Sequence, residues 1–179
     1  LMTLLQIDYI KVSQAEGNEP PYSKADIQEC IKHVVDVNWG DKTDIAPDIK
    51  MTMENAGHIL GSSSVYMQIG DGKSEHRLLF SGDIKYEKSW LFDAATVRFP
   101  KVDTLVIEST YGGPQSIQPT RHQASQELQD LVSDTLSRKG KIFCPVFAVG
   151  RSQEVMLAID ELFKSGRVPP VTVLSLIHI

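Results

Sequence analysis

The sequence has few cysteines, no long apolar run and no excess of positive charge, and each shortage excludes a class of protein. Its two cysteines, Cys30 and Cys144, lie far apart without metal-motif spacing, so we expect two buried, reduced thiols. No apolar stretch approaches the roughly 20 residues that cross a bilayer. The net charge of −5 argues against nucleic-acid binding by bulk charge, so any phosphate site would be local. We therefore predict an intracellular, cytoplasmic protein without a membrane span.

The chain has the composition of an ordinary globular protein, but its two termini lack the features of natural chain ends. Its 179 residues, 41% of them apolar and 23% charged, suffice for one packed domain with part of a second. Leu1 already lies in a helical pattern without a signal peptide, and the β-rich run from Val171 has no stop signal. The last six residues resemble a translated sequencing adapter, so we interpret 174–179 as a non-native tail. We expect an internal fragment of a longer protein.

Hydrophobic periodicity predicts helices at the start of the chain and strands after them. Ser23 and Asp26 have the spacing of a capping box, which begins a helix running from Lys24 to about Val34. Apolar and polar residues then alternate as they do in half-buried strands. The predicted strands lie at 49–53, 65–69, 77–80 and 104–107, with a hairpin turn at 70–72.

After Gly113 the sequence alternates between helical and strand patterns. The predicted elements are a helix at 120–139, a strand at 141–147, a helix at 150–164 and a strand beginning at Val171. A β-α-β order is typical of a parallel sheet. We therefore predict an α/β protein whose domain boundary lies near residue 113.

His58, Asp83 and Glu108 each lie next to the end of a predicted strand, which predicts a polar site on one rim of a sheet. Zinc binds imidazole and carboxylate groups, and a carboxylate at the end of a buried strand needs a cation or hydrogen-bond donors. Glu108 could orient a histidine or transfer protons. The structural alternatives are a packed histidine for His58 and a capping or turn residue for Asp83. Tyr111 is predicted either to contact substrate or to pack against its loop.

A second candidate site lies where a predicted strand leads through Gly150 into a helix. Free amides and the positive end of the helix dipole bind phosphate at such a place, and Arg151 and Ser152 would assist. The alternative is structural, with Ser152 as a helix cap and Arg151 and Glu154 as a surface ion pair.

The segments NAGHILGS, FSGD and IESTYGG, in this order, resemble the later metal-site motifs of the metallo-β-lactamase fold and the first motif of its β-CASP branch. Members of this branch are nucleases that act on RNA or DNA. The likeness reaches to about Val173, and within the branch the chain most resembles the archaeal cleavage and polyadenylation specificity factors. The resemblance implies that residues 1–113 form part of a metallo-β-lactamase αββα fold. Residues 114–173 would then begin a β-CASP parallel-sheet domain.

The resemblance also implies a site with two zinc ions that hydrolyses RNA phosphodiester bonds. In that site His58 is a ligand of one zinc, and Asp83 is the carboxylate that bridges both. Such a bridge is physically reasonable, because two close dications repel each other unless an anion lies between them. Glu108 corresponds to an acid that supports a histidine from a later motif. The implied partners are RNA and, in the full-length protein, a second copy of the chain.

The family's His-x-His-x-Asp-His segment, which supplies most of the zinc ligands, does not occur in this sequence. His33, His76 and His122 match none of the later histidine motifs and are expected at the surface, and His178 lies in the suspected tail. Because a tetrahedral zinc site needs about four ligands, the two implied ligands cannot hold zinc tightly by themselves. We expect this chain to be inactive on its own.

Three functions remain open at the level of the sequence. The first is a fragment of a zinc-dependent ribonuclease, acting in RNA 3′-end processing, transcription termination or decay. The second is a scaffold subunit of the same superfamily that has lost its ligands and only binds partners. The third is a metallohydrolase that acts on small molecules. The STYGG segment argues against this third function, because a second α/β region follows it.

Overall fold

A computed structural model describes residues 1–175 of the chain, and they form a mixed α/β structure. The elements divide into two compact units, Leu1–Asn38 and the chain from Trp39 onwards. In chain order they are α1 (Met2–Ala15), α2 (Lys24–Lys32), β1 (Lys42–Ala46), β2 (Ile49–Asn55), β3 (Ser63–Ile69), β4 (His76–Phe80), β5 (Thr104–Val106), α3 (Arg121–Ser137) and α4 (Arg151–Lys164). The boundary near residue 113 stays a prediction.

The first unit consists of α1 and α2. The predicted capping box of α2 is confirmed, because the Ser23 amide donates to Asp26 Oδ2 at 2.8 Å and the Asp26 amide donates to Ser23 Oγ at 3.3 Å. The Asp26 carboxylate accepts hydrogen bonds from the Ser23 amide and the Ser23 hydroxyl, and these bonds, the backbone one above all, hold the pKa of Asp26 below its usual range. Tyr9 on α1 stacks on Tyr22, with ring centroids 5.7 Å apart.

The second unit contains a five-stranded sheet in the order β1-β2-β3-β4-β5. The first four strands pair antiparallel, and β5 pairs parallel with β4. The four strands predicted between residues 49 and 107 are confirmed. A hairpin joins β3 to β4 as predicted, but its connection spans residues 70–75, with a 3-10 turn at Gly72–Ser74. Tyr66 and Leu79 lie opposite each other on β3 and β4, and both are buried. The Tyr66 hydroxyl donates to the Lys101 carbonyl at 3.0 Å, which ties the segment before β5 to the sheet.

Strand β1 has no counterpart among the predicted strands. Its pairing with β2 is interrupted by a bulge between Asp44 and Ala46, and most of its residues are exposed. An exposed edge strand with a bulge lacks the regular apolar alternation from which strands are predicted.

Helices α3 and α4 lie at the positions predicted from their periodicity. Thr120 caps α3, with its amide donating to Gln123 Oε1 at 2.8 Å. Val132 of α3, Leu162 of α4 and Val168 form a buried apolar cluster. Leu162 is 1% exposed and is the most buried residue of this cluster.

The predicted strand at 141–147 and the one beginning at Val171 are wrong for the described residues, since neither segment forms a strand there. A strand is stable only when its amide and carbonyl groups pair with a neighbour. Within residues 1–175 the sheet ends at β5, and Phe143 and Phe147 are largely exposed instead of packed in a sheet. The predicted parallel β-α-β arrangement is therefore absent from the described chain, and the β-CASP assignment of 114–173 stays a prediction.

Cys30 and Cys144 are free thiols, but the prediction that both are buried is wrong, since both are exposed. On the short helix α2 the buried residue is Ile27, and Cys144 lies in the segment 141–147 that is not packed in a sheet. No helix within residues 1–175 is long and apolar enough to span a membrane. Residues 176–179, with His178, lie outside the described residues, so the tail at 174–179 stays a prediction.

Candidate functional site

The sheet brings three of the predicted site residues to one end of its strands. His58 lies in the loop 56–62 between β2 and β3, here called the His58 loop, while Asp83 follows β4 and Glu108 follows β5. The register places the end of β2, the start of β3 and the ends of β4 and β5 side by side. His58 Nε2 lies 3.9 Å from Asp83 Oδ2. The imidazole and the carboxylate therefore face a common point.

Local hydrogen bonds fix the His58 loop. Asn55 Oδ1 accepts from the Gly57 amide at 2.9 Å, and Ser62 Oγ accepts from the amides of His58 and Ile59, each at 3.1 Å. Small polar residues with short side chains commonly close turns in this way. The imidazole is thus presented by a backbone that is already held in place.

Gly57 allows the His58 loop to approach its neighbours closely. Its φ is +68°, and a Cβ added there would lie 2.7 Å from the Lys85 carbonyl oxygen and 2.8 Å from the Asp93 carbonyl oxygen. Both the left-handed backbone and the lack of space require glycine. The glycine beside His58 therefore has a packing role that the motif alone does not reveal.

Glu108 is linked to the turn that carries Asp83. Its Oε1 accepts from the Ile84 amide at 2.7 Å, and its own amide donates to the buried Ser81 at 3.1 Å. Hydrogen bonds from the Thr110 side chain and then from the Ile84 amide lower the pKa of Glu108. The carboxylate is consequently ionised at neutral pH and holds the backbone directly after Asp83.

His58 and Asp83 carry donor atoms suited to zinc, but they do not form a complete site. No group of three or more histidine, cysteine, aspartate or glutamate side chains in residues 1–175 could hold a metal ion. A tetrahedral zinc site needs about four donors. The described residues therefore do not fit a zinc ion by themselves. The Asp83 side chain is 72% exposed, which leaves its oxygens accessible to further groups.

The second candidate site lies at the start of α4. The Ser152 hydroxyl is buried and donates to the Ala148 carbonyl at 2.8 Å, while Arg151 Nη1 lies 3.2 Å from Glu154 Oε2. The Arg151 and Ser152 amides already donate to backbone carbonyls. The Arg151–Glu154 pair of the structural alternative is present, but Ser152 does not cap the helix, because Gly150 is the residue before its first turn. The phosphate-binding role of Arg151 and Ser152 stays a prediction. Tyr111 is exposed, and its contact with substrate likewise stays a prediction.

The three histidines expected at the surface are exposed, as predicted: His33, His76 and His122. Their positions do not add a donor to the candidate site. His76 Nε2 lies 3.0 Å from the hydroxyl of Thr104, at the opposite end of β4 from Asp83.

An ion pair that was not predicted lies beside the candidate site. Lys85 Nζ is 4.0 Å from Glu154 Oε1, and both side chains are mostly buried. Burial lowers the pKa of Lys85. Burial acts to raise the pKa of Glu154, but hydrogen bonding from Ser89 and the nearby cations lower it overall. Glu154 has one local signal, since acidic residues are favoured in the first turn of a helix. Nothing local indicates its distant partner.

An open cavity of about 650 Å³ lies next to this pair, and Trp90, Phe147 and Arg151 are among the residues that line it. The guanidinium carbon of Arg121 lies 5.8 Å from the centroid of the Trp90 ring. This face of the indole therefore already has a cationic partner within the chain.

No protein-family model matches the chain, but it is similar to several curated archaeal proteins. It is 47% identical over 173 residues to the transcription termination factor FttA of Methanothermobacter thermautotrophicus. It is 45% identical over 173 residues to FttA of a Lokiarchaeum species. These alignments cover 97% of this chain and 27% of each relative. FttA of Methanocaldococcus jannaschii is 47% identical over 166 residues, 93% of this chain and 26% of the relative. The chain thus spans about a quarter of the length of these relatives.

Proposed function

Because the chain belongs to the β-CASP family of archaeal transcription termination factors, we propose that the protein of which it forms part terminates transcription by zinc-dependent cleavage of RNA. The observation that carries the proposal is the 3.9 Å separation of His58 Nε2 and Asp83 Oδ2 at one end of the sheet. An imidazole and a carboxylate in this arrangement are two of the about four donors that a zinc site needs.

Each of the three residues has a distinct part in the proposed site. The His58 loop presents the imidazole from a fixed backbone, so little conformational entropy is lost when the imidazole binds a ligand. Asp83 offers an accessible carboxylate, which would suit a group that binds zinc. Glu108 does not reach the common point in this proposal but holds the Asp83 turn through the Ile84 amide.

The remaining donors of the proposed zinc site would come from parts of the whole protein outside this chain. Zinc, when bound, supplies Lewis-acid stabilisation of the charge on phosphate oxygens. The chain's own contribution is to place one imidazole and one carboxylate at the same end of the sheet. We expect the chain by itself to be inactive, since two donors do not hold zinc tightly.

The second candidate function is a scaffold that has lost catalytic activity. It remains open because residues 1–175, in a chain that spans about a quarter of the length of its relatives, hold only two of the donors that zinc needs. A scaffold would support termination by binding partners, and its function would not require zinc. The two functions therefore make opposite predictions about zinc content and RNA cleavage.

RNA is the proposed partner, and the cytoplasm, where archaeal transcription takes place, is the proposed location. The homodimer implied by the family resemblance stays a prediction.

The proposal is tested by Asp83→Ala in the whole protein. We expect this variant to lose cleavage of a single-stranded RNA and to contain less zinc, since one of the side chains that would hold zinc is missing. Cleavage is followed on gels, and zinc is measured by mass spectrometry of the purified protein. Asp44→Ala is the matched control, because the Asp44 side chain is 73% exposed and lies on β1 at the edge of the same sheet.

Full zinc occupancy and normal cleavage in Asp83→Ala would overturn the proposed site. A wild-type protein that binds no zinc and cleaves no RNA, yet supports termination in a transcription assay, would favour the scaffold.

A further inference from the structure

Lys85 is fixed through its backbone to the segments around the candidate site. It lies two positions after Asp83, and its amide donates to the Ala56 carbonyl at 2.9 Å, at the start of the His58 loop. Its carbonyl accepts from the Ala95 amide at 2.8 Å. The backbone of Lys85 is therefore linked directly to the loop that carries the imidazole.

The Lys85 side chain extends from this hydrogen-bonded backbone to α4. Its Nζ lies 4.0 Å from Glu154 Oε1, with 27% of the lysine and 14% of the glutamate side chain exposed. Glu154 Oε2 accepts in turn from Arg151 Nη1 at 3.2 Å. One carboxylate is thus shared by two cations. Because the pair is mostly buried, salt screens it less than it screens an ordinary surface pair.

The start of α4 lies close to the His58 loop. A Cβ added at Gly150, the residue before α4, would lie 3.6 Å from Ile59 Cγ2. This proximity by itself sets no direction for the helix. The Lys85–Glu154 ion pair joins the two elements by charge attraction at 4.0 Å, and Glu154 Oε1 has no hydrogen-bond partner among the described residues.

We propose that Lys85 is a positioning residue, which uses Glu154 to hold Arg151 and the first turn of α4 beside the His58–Asp83 end of the sheet. The proposal rests on the proposed RNA-cleaving function, because it makes Arg151 a contact for the RNA phosphate. Lys85 does not itself touch the reacting atoms. It determines how tightly the RNA is bound, while His58 and Asp83 bind the zinc.

The test compares Lys85→Met with Lys88→Met in the whole protein. Lys88 is the matched control, since it is a lysine three positions later whose exposed side chain pairs with Asp93 at 2.9 Å. Both substitutions remove one positive charge from the same segment. Lys85→Met is expected to raise KM for a short single-stranded RNA about threefold to fivefold, with kcat and zinc content unchanged. Lys88→Met is expected to leave KM within about a factor of 1.5, as for an ordinary surface pair.

Rescue by a conservative change separates the ion pair from simple packing. Lys85→Arg retains the charge and is expected to bind RNA as the wild type does, whereas Lys85→Met retains only the aliphatic length. Arg151→Ala is expected to raise KM at least as much as Lys85→Met, and the double variant no more than Arg151→Ala alone. Equal effects of Lys85→Met and Lys88→Met, or additive effects with Arg151→Ala, would overturn the proposal.

Hydrogen exchange tests the positioning role without relying on cleavage. In Lys85→Met the amides of the first turn of α4 are expected to exchange several-fold faster than in the wild type, and in Lys88→Met at the wild-type rate. Unchanged exchange in Lys85→Met would overturn the link, whatever the enzymatic result. A wild-type protein without RNA cleavage, but with this exchange pattern, would overturn the proposed function and keep the link.

Discussion

The Ile84 amide donates a 2.7 Å hydrogen bond to Glu108 Oε1, and this bond joins the segments that follow β4 and β5. Ile84 is the residue directly after Asp83, so Glu108 acts on Asp83 through the backbone. The lowered pKa of Glu108, due first to hydrogen bonding from Thr110 and then to the Ile84 amide, agrees with this arrangement. Charge-assisted hydrogen bonds to a carboxylate are stronger than neutral ones. The ionised form of Glu108 therefore keeps the Asp83 turn in place.

The contribution of Glu108 should depend on pH. Because the pKa of Glu108 is lowered in the folded state, its contribution is complete above the ordinary glutamate pKa and is lost as pH falls through the lowered pKa. We expect protection of the Ile84 amide, corrected for intrinsic exchange, to fall over that acidic range. In Glu108→Gln this dependence should vanish, and protection at neutral pH should be about threefold to tenfold lower. NMR hydrogen exchange measures both.

The matched control for Glu108→Gln is Glu87→Gln, which removes a negative charge from an exposed residue of the neighbouring segment. Loss of Ile84 protection in both variants would point to net charge, and unchanged protection in Glu108→Gln would contradict the bond's role.

Gly57 should tolerate no side chain. Gly57→Ala forces a Cβ to within 2.7 Å of the Lys85 carbonyl oxygen at a φ of +68°, so we expect a loss of about 3 kcal/mol or more in the free energy of unfolding. Gly61→Ala is the control, since Gly61 has a φ of +78° but no atom within 4 Å of an added Cβ. It should cost only about 1 kcal/mol, through backbone strain alone. Urea denaturation of the full chain measures both losses. Equal losses would contradict the prediction, because they would show that the backbone around Gly57 shifts to make room for the added Cβ.

Leu162 should dominate the stability of the α3–α4 cluster. It is 1% exposed among Val132 and Val168, so Leu162→Ala leaves a cavity and should cost about 3 kcal/mol in the free energy of unfolding. Leu157→Ala on the same helix is the control, because Leu157 is 38% exposed and should cost less than about 1 kcal/mol. Thermal and urea unfolding of the full chain would reveal the difference. Similar losses in the two variants would mean that the cluster does not carry the stability of this region.

The helix starts and most strands could be predicted because their signals lie within a few residues. Ser23 and Thr120 begin helices because their hydroxyl oxygens accept hydrogen bonds from the amides three positions later. The alternating residues of β2 and β3 determine which side chains share a face. The segments carrying His58, Asp83 and Glu108 could likewise be recognised, since each is a short motif next to a strand end.

The separation of His58 and Asp83, the pairing of Lys85 with Glu154 and the exposure of Cys144 depend on the tertiary structure alone. Each results from elements far apart in the chain, whose relative placement no local pattern contains. The same reason explains the wrong strand at 141–147: an apolar run has the propensity to extend, but a strand forms only where another chain segment satisfies its backbone groups. The order of residues along the chain sets which groups stand at the strand ends. Packing decided which of them meet, because contact energies act through space and not along the chain.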